Sequence, residues 1–156
     1  MKVTKIKTES MKLVVSLFAL LFSSYTTAPP ANADAILGMW MTDSNKAKIE
    51  IYKQGNQYNG KIVWLKEPLN EQGQPKTDKE NNEKSLRSRP VVGVNLIKGF
   101  EFNGEKWDGG EIYDPENGKT YSCIVKLEGD KLEVRGYVGM TTFGRTVVWE
   151  RAKSIE

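Results

Sequence analysis

The feature that most restricts the fold is a turn signal that recurs at short intervals from Ile36 onward, leaving runs of strand length between the turns. The runs are Ile36 to Thr42, Lys46 to Lys53, Gln57 to Leu65, Val92 to Phe102, Lys106 to Asp114, Lys119 to Glu128, Lys131 to Gly139 and Thr142 to Arg151. Asp43-Ser44-Asn45, Gly55-Asn56, Asn103-Gly104, Pro115-Glu116-Asn117-Gly118 and Gly129-Asp130 separate them, residues suited to tight hairpins and positive φ. "KAKIEIYK" sets Ala47, Ile49 and Ile51 on one face and Lys46, Lys48 and Glu50 on the other, the alternation of a half-buried strand. Sequential hairpins favour a meander, and eight antiparallel strands close into a barrel that leaves no edge exposed. The expected fold is all-β: an eight-stranded antiparallel up-and-down barrel with one long loop between the third and fourth strands. Gly60, Gly99, Gly109, Gly110, Gly136 and Gly144 fall inside the runs and fit the kinks of barrel corners.

The start of the chain follows a different pattern. Lys2, Lys5, Lys7 and Lys12 precede a short apolar run, Leu13 to Phe22, broken only by Ser16. A polar stretch with Pro29 and Pro30 then ends in Ala31-Asn32-Ala33. A basic start, a short apolar run and a small-x-small site predict a secretory signal peptide over 1–33, cleaved between Ala33 and Asp34. The apolar run is shorter than the roughly 20 residues a membrane span needs, so no stable membrane insertion is expected once it is removed. The protein is then periplasmic or secreted, with one barrel domain over 34–156.

Removal of 1–33 takes four lysines and Glu9, so that of the chain's 23 basic and 20 acidic residues 19 of each remain. The excess positive charge belongs to the leader, and no field is left to attract nucleic acid. The sequence has one cysteine, Cys123, which rules out an internal disulfide and is expected as a small buried hydrophobe in a strand. It has no histidine, which excludes His-based triads, His-ligated zinc and proximal-His haem. No cofactor or metal site is expected.

Residues 66–90 break the rhythm: eleven of these 25 are charged, and only Leu69 and Leu86 are large and apolar. A connection this long in a compact domain is functional or loosely ordered. Thr77 or Asp78 could cap a short helix that Pro90 would end. "DKENNE", Asp78 to Glu83, is expected as a solvated charged segment. Arg87 and Arg89 could clamp an anion or tie the loop to the barrel rim. Asp114, Glu116 and Asn117 fit turn chemistry and lack the ligand set of a calcium loop.

An eight-stranded barrel is filled by side chains or holds one small ligand. Strict alternation puts Phe143, Arg145, Val147, Trp149 and Arg151 on one face of the last strand. It puts Trp107, Glu111 and Tyr113 on one face of the fifth, and Tyr121, Cys123, Val125 and Leu127 on one face of the sixth. If these faces point inward, Glu111 and Arg145 are polar groups in an aromatic cup, which is the composition of a ligand site or of an internal ion pair.

The blocks "LGMW", "KIEIY", "GKIVWL", "D..N", "RSRP..G", "W.GG.IYDP.NGKTYSC", "L.VRGY.G" and "GRT..WER" resemble the bacterial family called domain of unknown function 2147, from about Ile36 to Arg151. That resemblance implies an exported bacterial protein and assigns no reaction. Gly38-Met39-Trp40 in the first strand and Arg151 in the last also resemble the lipocalin and wider calycin pattern. There a first-strand Trp packs beneath a last-strand Arg, so the resemblance implies that Trp40 and Arg151 close one barrel end through a cation–π contact.

Three functions fit these residues. The first is binding of a small apolar or amphipathic molecule, with Trp64, Trp107, Tyr113, Tyr121 and Trp149 as lining, Glu111 and Arg145 as polar contacts, and the long loop over the mouth. The second is a solid barrel that recognises a protein partner of the envelope through 66–90. The third is a hydrolase or isomerase using Glu111 or Asp114 with Tyr113 or Arg145. They rank in that order.

Overall fold

The structure, a computed structural model, describes residues 32–153. The leader segment 1–31, and with it most of the expected export signal, lies outside the described residues. A short 3-10 turn, Ala33–Ile36, leads into eight strands: β1 Gly38–Met41, β2 Ala47–Gln54, β3 Gln57–Leu65, β4 Asn95–Phe102, β5 Trp107–Asp114, β6 Lys119–Glu128, β7 Lys131–Tyr137 and β8 Gly144–Arg151. Each strand pairs with the next, and β8 returns to β1 through Trp40 opposite Arg151 and Met41 opposite Glu150, closing the barrel. This is the up-and-down arrangement that the turn spacing predicts. The run at Ile36 starts as a 3-10 turn rather than strand, and β4 begins at Asn95, after Gly93 has turned the chain at φ 99.

Two bulges shift the side-chain alternation. Between β2 and β3, Ile49 faces Ile62 while Lys48 faces Trp64, so β3 carries one extra residue there. Between β5 and β6, Trp107 faces Val125 while Gly110 faces Cys123, leaving Asp108 and Gly109 against one residue of β6. Gly109 takes φ 73, which an L side chain would resist. Each bulge reverses which residues of its strand face the interior.

Up-and-down order gathers the loops 42–46, 66–94, 115–118 and 138–143 at one end of the barrel. The 3-10 turn, the tight turns and the chain's exit gather at the other. The second end is packed solid. Trp40, Trp107, Tyr58 and Phe100 are fully buried there with Ile36, Ile49 and Ile51. Phe102 lies 4.8 Å from Trp107 and Tyr58 meets it edge-on at 6.3 Å. The Trp40 indole N–H donates to the Ile36 carbonyl at 2.8 Å, and that of Trp107 donates to Ala33 at 3.1 Å. The Arg151 guanidinium stacks 4.1 Å over the Trp40 ring and donates to the carbonyls of Leu37 and Ala35.

Candidate functional site

The loop-bearing end is open. A cavity of about 1690 Å³ runs from between the loops into the barrel, and Ala47, Ile62, Leu65, Ile112, Val134 and Val147 form its inner wall. Trp149 of β8 lies at its depth, itself buried. This exceeds the roughly 300–1,000 Å³ of a drug-sized pocket because the upper part is the open mouth. Towards the rim the lining turns polar, with Tyr121, Arg145, Asn117 and Glu116. Lys46 and Glu116 join the 42–46 and 115–118 turns by an exposed ion pair of 2.9 Å. The interior is therefore filled at one end and hollow at the other.

Of the residues expected to line a ligand site, Tyr113, Tyr121, Arg145 and Trp149 do line the cavity. Tyr121 pairs with Ile112, and Arg145 with Gly136, on the inner face that carries Cys123 and Val147. Trp107, Glu111 and Trp64 lie elsewhere. Trp107 faces the interior but at the packed end. The β5 bulge turns Glu111 outward, opposite Lys98 and Ser122, so it does not meet Arg145. The β3 bulge brings Leu65 to the cavity and leaves Trp64 on the outer face, where Lys48 lies 5.3 Å from its ring. Asp114 belongs to the turn: its carboxylate accepts from the Glu116 N–H and from Asn117 Nδ2. Of the groups named for a hydrolytic site, Asp114, Tyr113 and Arg145 border the cavity, and Glu111 does not.

Tyr113 also lies on the outer parity of β5, and there it meets the long loop. Its hydroxyl donates to Asp78 Oδ1 at 2.5 Å and accepts from Asn81 Nδ2 at 3.0 Å. Asp78 is fully buried, and its Oδ2 accepts from Asn81 Nδ2 at 2.8 Å and from Arg89 Nη2 and Nε at 2.7 and 3.0 Å. The backbone of Asp78 donates to the Arg89 carbonyl, and Thr77 bridges Pro90. Arg87 Nε donates to the Asn81 carbonyl at 2.7 Å. Gly118, at φ 70, lies so close to the Glu80 carbonyl that a Cβ would collide with it. The loop is therefore a strap clamped to the barrel, and its residues Leu69, Thr77 and Glu80 continue the cavity wall.

The expectation of a solvated segment over Asp78 to Glu83 is corrected for Asp78 and Asn81, both buried. A buried carboxylate requires compensating donors, and this one has four. Burial acts to raise the Asp78 carboxyl. Hydrogen bonds from Tyr113, Asn81 and Arg89 overcome that and hold it below the ordinary carboxylate range. Burial, reinforced by the Asp78 charge, pushes Tyr113 up to about 12. Arg89 serves the strap's own carboxylate.

Fold and site define a lipocalin-like barrel: eight antiparallel strands, one packed end, and a cup open at the other. The sequence model of a bacterial family described as "uncharacterized protein conserved in bacteria", domain of unknown function 2147, matches residues 38–151, and the chain belongs to that family. Among solved structures it is similar to protein HP1028 of Helicobacter pylori, which is described as belonging to the lipocalin family. The TM-score is 0.67 at 22% identity, over 76% of this chain and 83% of that one. At that identity the likeness concerns the fold. A search of curated proteins finds no match.

Proposed function

We propose that the protein is an exported carrier or sensor of a small apolar or amphipathic molecule, held in the cup with its apolar part towards Trp149. The observation that carries this reading is the hollow half-barrel, whose inner wall is apolar and whose rim is polar. A well-packed core leaves few voids larger than a water, so an apolar hollow of this size is a site that a ligand would fill. The likeness in fold to a lipocalin-family protein supports the reading. Export through cleavage between Ala33 and Asp34 is part of the same proposal, and rests on the leader pattern.

A neutral fluorescent probe, N-phenyl-naphthylamine, tests the cup. Saturable binding is expected, together with its loss in Val147→Trp, which places a large ring in the hollow. Glu111→Gln, on the outer face, is the control and should bind as the parent does. Absence of saturable binding, or an unchanged affinity in Val147→Trp, would remove the proposal.

A second reading, a protein partner at the mouth, is favoured by Val138, Met140 and Phe143, which are exposed on or beside the 138–143 loop. Met140→Ser, the one of the three outside the cavity lining, separates the two readings, since partner capture would fall and probe binding in the cup would persist.

A further inference from the structure

We infer that the molecule held in the cup is an anionic amphiphile whose acid group is bound at the rim by Arg145 and Tyr121. This rests on the reading of the cup as a ligand site and adds the chemistry of the ligand's polar end.

The argument begins with the placement of Arg145. It stands on the inner face of β8, in the ladder row that runs through Gly136, Cys123 and Gly110. Val147 lies one step deeper on the same face and Trp149 one step deeper again. Arg145 is exposed at the open mouth, where its charge is served by water or by an anionic group that enters the cup. Among the other cations that line the cavity, Lys46 has Glu116 at 2.9 Å, Lys76 has Glu67 at 3.3 Å and Lys79 has Glu80 at 3.9 Å, whereas Lys66 of the strap, like Arg145, has no ion pair among the described residues but does not stand on the inner face of a strand above the apolar wall. Arg145 makes no ion pair or hydrogen bond with any of the described residues. Glu111, which simple alternation would place opposite it, is turned outward by the β5 bulge.

The space beside Arg145 is also open. Its β7 neighbour is Gly136, and a Cβ there would lie 3.4 Å from Ile112 and 3.8 Å from Tyr121. The absent side chain leaves a gap between the Arg145 position and the Ile112–Tyr121 row. Tyr121 flanks that gap with its Cβ, and its hydroxyl accepts a hydrogen bond from Asn117 Nδ2, which leaves its own proton free to donate. Guanidinium and phenol together are a donor set for a carboxylate, sulfate or phosphate oxygen, and a guanidinium offers two parallel bonds to such a group. Below them the wall is apolar, so the same molecule requires an acid end and a hydrocarbon body.

Three probes of one chain length separate the ligand's head from its tail: decanoate, decanol and decylammonium, each titrated against quenching of the cavity tryptophan below its micelle concentration. Decanoate should bind about ten-fold or more tightly than decanol, and decylammonium least, as expected for charge-assisted hydrogen bonds to an acid group. Arg145→Gln should bring decanoate down to decanol without changing decanol. Arg145→Lys should keep part of the preference, and Tyr121→Phe should reduce it less than Arg145→Gln does. Equal binding of decanoate and decanol to the parent, or a preference that survives Arg145→Gln, would overturn the inference while leaving the cup a ligand site. Failure of all three probes to bind would overturn both.

Discussion

The Arg151 side chain fastens two ends of the chain by lying flat on Trp40. Its guanidinium is 4.1 Å from the ring centroid, and its two terminal nitrogens reach the carbonyls of Leu37 and Ala35. It thereby supplies donors to the turn that seals the packed end, where β1 and β8 share only two paired positions. Removing the side chain in Arg151→Ala should lower stability by about 2 kcal/mol, from a lost cation–π contact and carbonyls left with fewer partners. Trp40→Ala should cost about 3–5 kcal/mol, as for a fully buried large ring. Urea midpoints measure both. Because the cup lies at the other end, probe affinity in the folded Arg151→Ala variant should be unchanged.

The strap carries its own pH dependence. The Asp78 carboxyl has a folded pKa below its ordinary value. A group depressed in this way contributes stability that is present above the unfolded pKa and lost as pH falls through the folded one. Acid should therefore loosen residues 76–91 before the barrel opens, observed as faster amide exchange there below about pH 4. Asp34 is depressed as well, by Lys53 and then Tyr58, so acid acts at both ends of the barrel. Asp78→Asn isolates the strap: it should exchange fast in 76–91 at neutral pH and lose the local acid response. Leaving Arg89 and Tyr113 facing a neutral amide should lower stability by about 3 kcal/mol. Unchanged exchange in that variant would mean the strap is held by its backbone bridges alone.

Tyr113 should be silent in an alkaline titration. Its hydroxyl is pushed up to about 12 by burial and by Asp78, so Tyr113 should add nothing to phenolate absorbance near pH 10–11. Tyr113→Phe should leave that absorbance unchanged in the same range, while removing a donor to a buried carboxylate at a loss of about 2 kcal/mol. A drop in the absorbance step on making Tyr113→Phe would show that the hydroxyl titrates normally and that the clamp is open in solution.

How much of this is legible in sequence depends on which physical effect sets each residue's place. The turns between strands are written in Gly, Asn and Asp, so strand count and order follow from local chemistry. Inward and outward faces are legible only while alternation holds. In β2 it holds, and Ala47, Ile49 and Ile51 all face the interior. In β3 and β5 a bulge intervenes, and from there Trp64, Glu111 and Tyr113 lie opposite to where a period of two puts them. Gly109 was the available signal, an interior glycine that marks a bulge as readily as a barrel corner. Asp78 escaped for another reason. Its neighbours in sequence are charged and solvated, and the groups that make its burial tolerable, Arg89 and Tyr113, come from 11 and 35 residues away.

Burial pushes the Cys123 thiol up to about 12, and the side chain is wholly inaccessible. A thiol is nucleophilic as the thiolate, so Cys123 should not react with an aromatic disulfide reagent at pH 8 in the native protein. One thiol per chain should react once urea unfolds it. The rate of that reaction in low urea then reports barrel opening, because the sulfur lies in the row between Gly110 and Gly136 at mid-barrel. Reaction of the native protein at the speed of a free thiol would mean that the sheet opens locally at β6.

The proposed cleavage site falls on contacts that the fold uses. Asn32 Oδ1 accepts from the Asp34 N–H at 2.9 Å and caps the 3-10 turn, and the Ala33 carbonyl accepts the Trp107 indole N–H at 3.1 Å. Cleavage between Ala33 and Asp34 would remove both and convert the Asp34 amide into an ammonium group. Asp34 itself would stay anchored through its carboxylate, which accepts from Lys53 at 2.8 Å and from the Tyr58 hydroxyl at 2.5 Å. Two purified chains, one beginning at Asn32 and one at Asp34, should both fold, with the shorter less stable by about 1 kcal/mol. Equal urea midpoints would mean that water replaces the Ala33 carbonyl at no net loss. The intact mass of the protein recovered from its host's envelope fixes which of the two ends is used: a chain that begins at Asp34 supports the proposed site, and one that retains Ala33 moves the cut upstream and keeps the Trp107 bond.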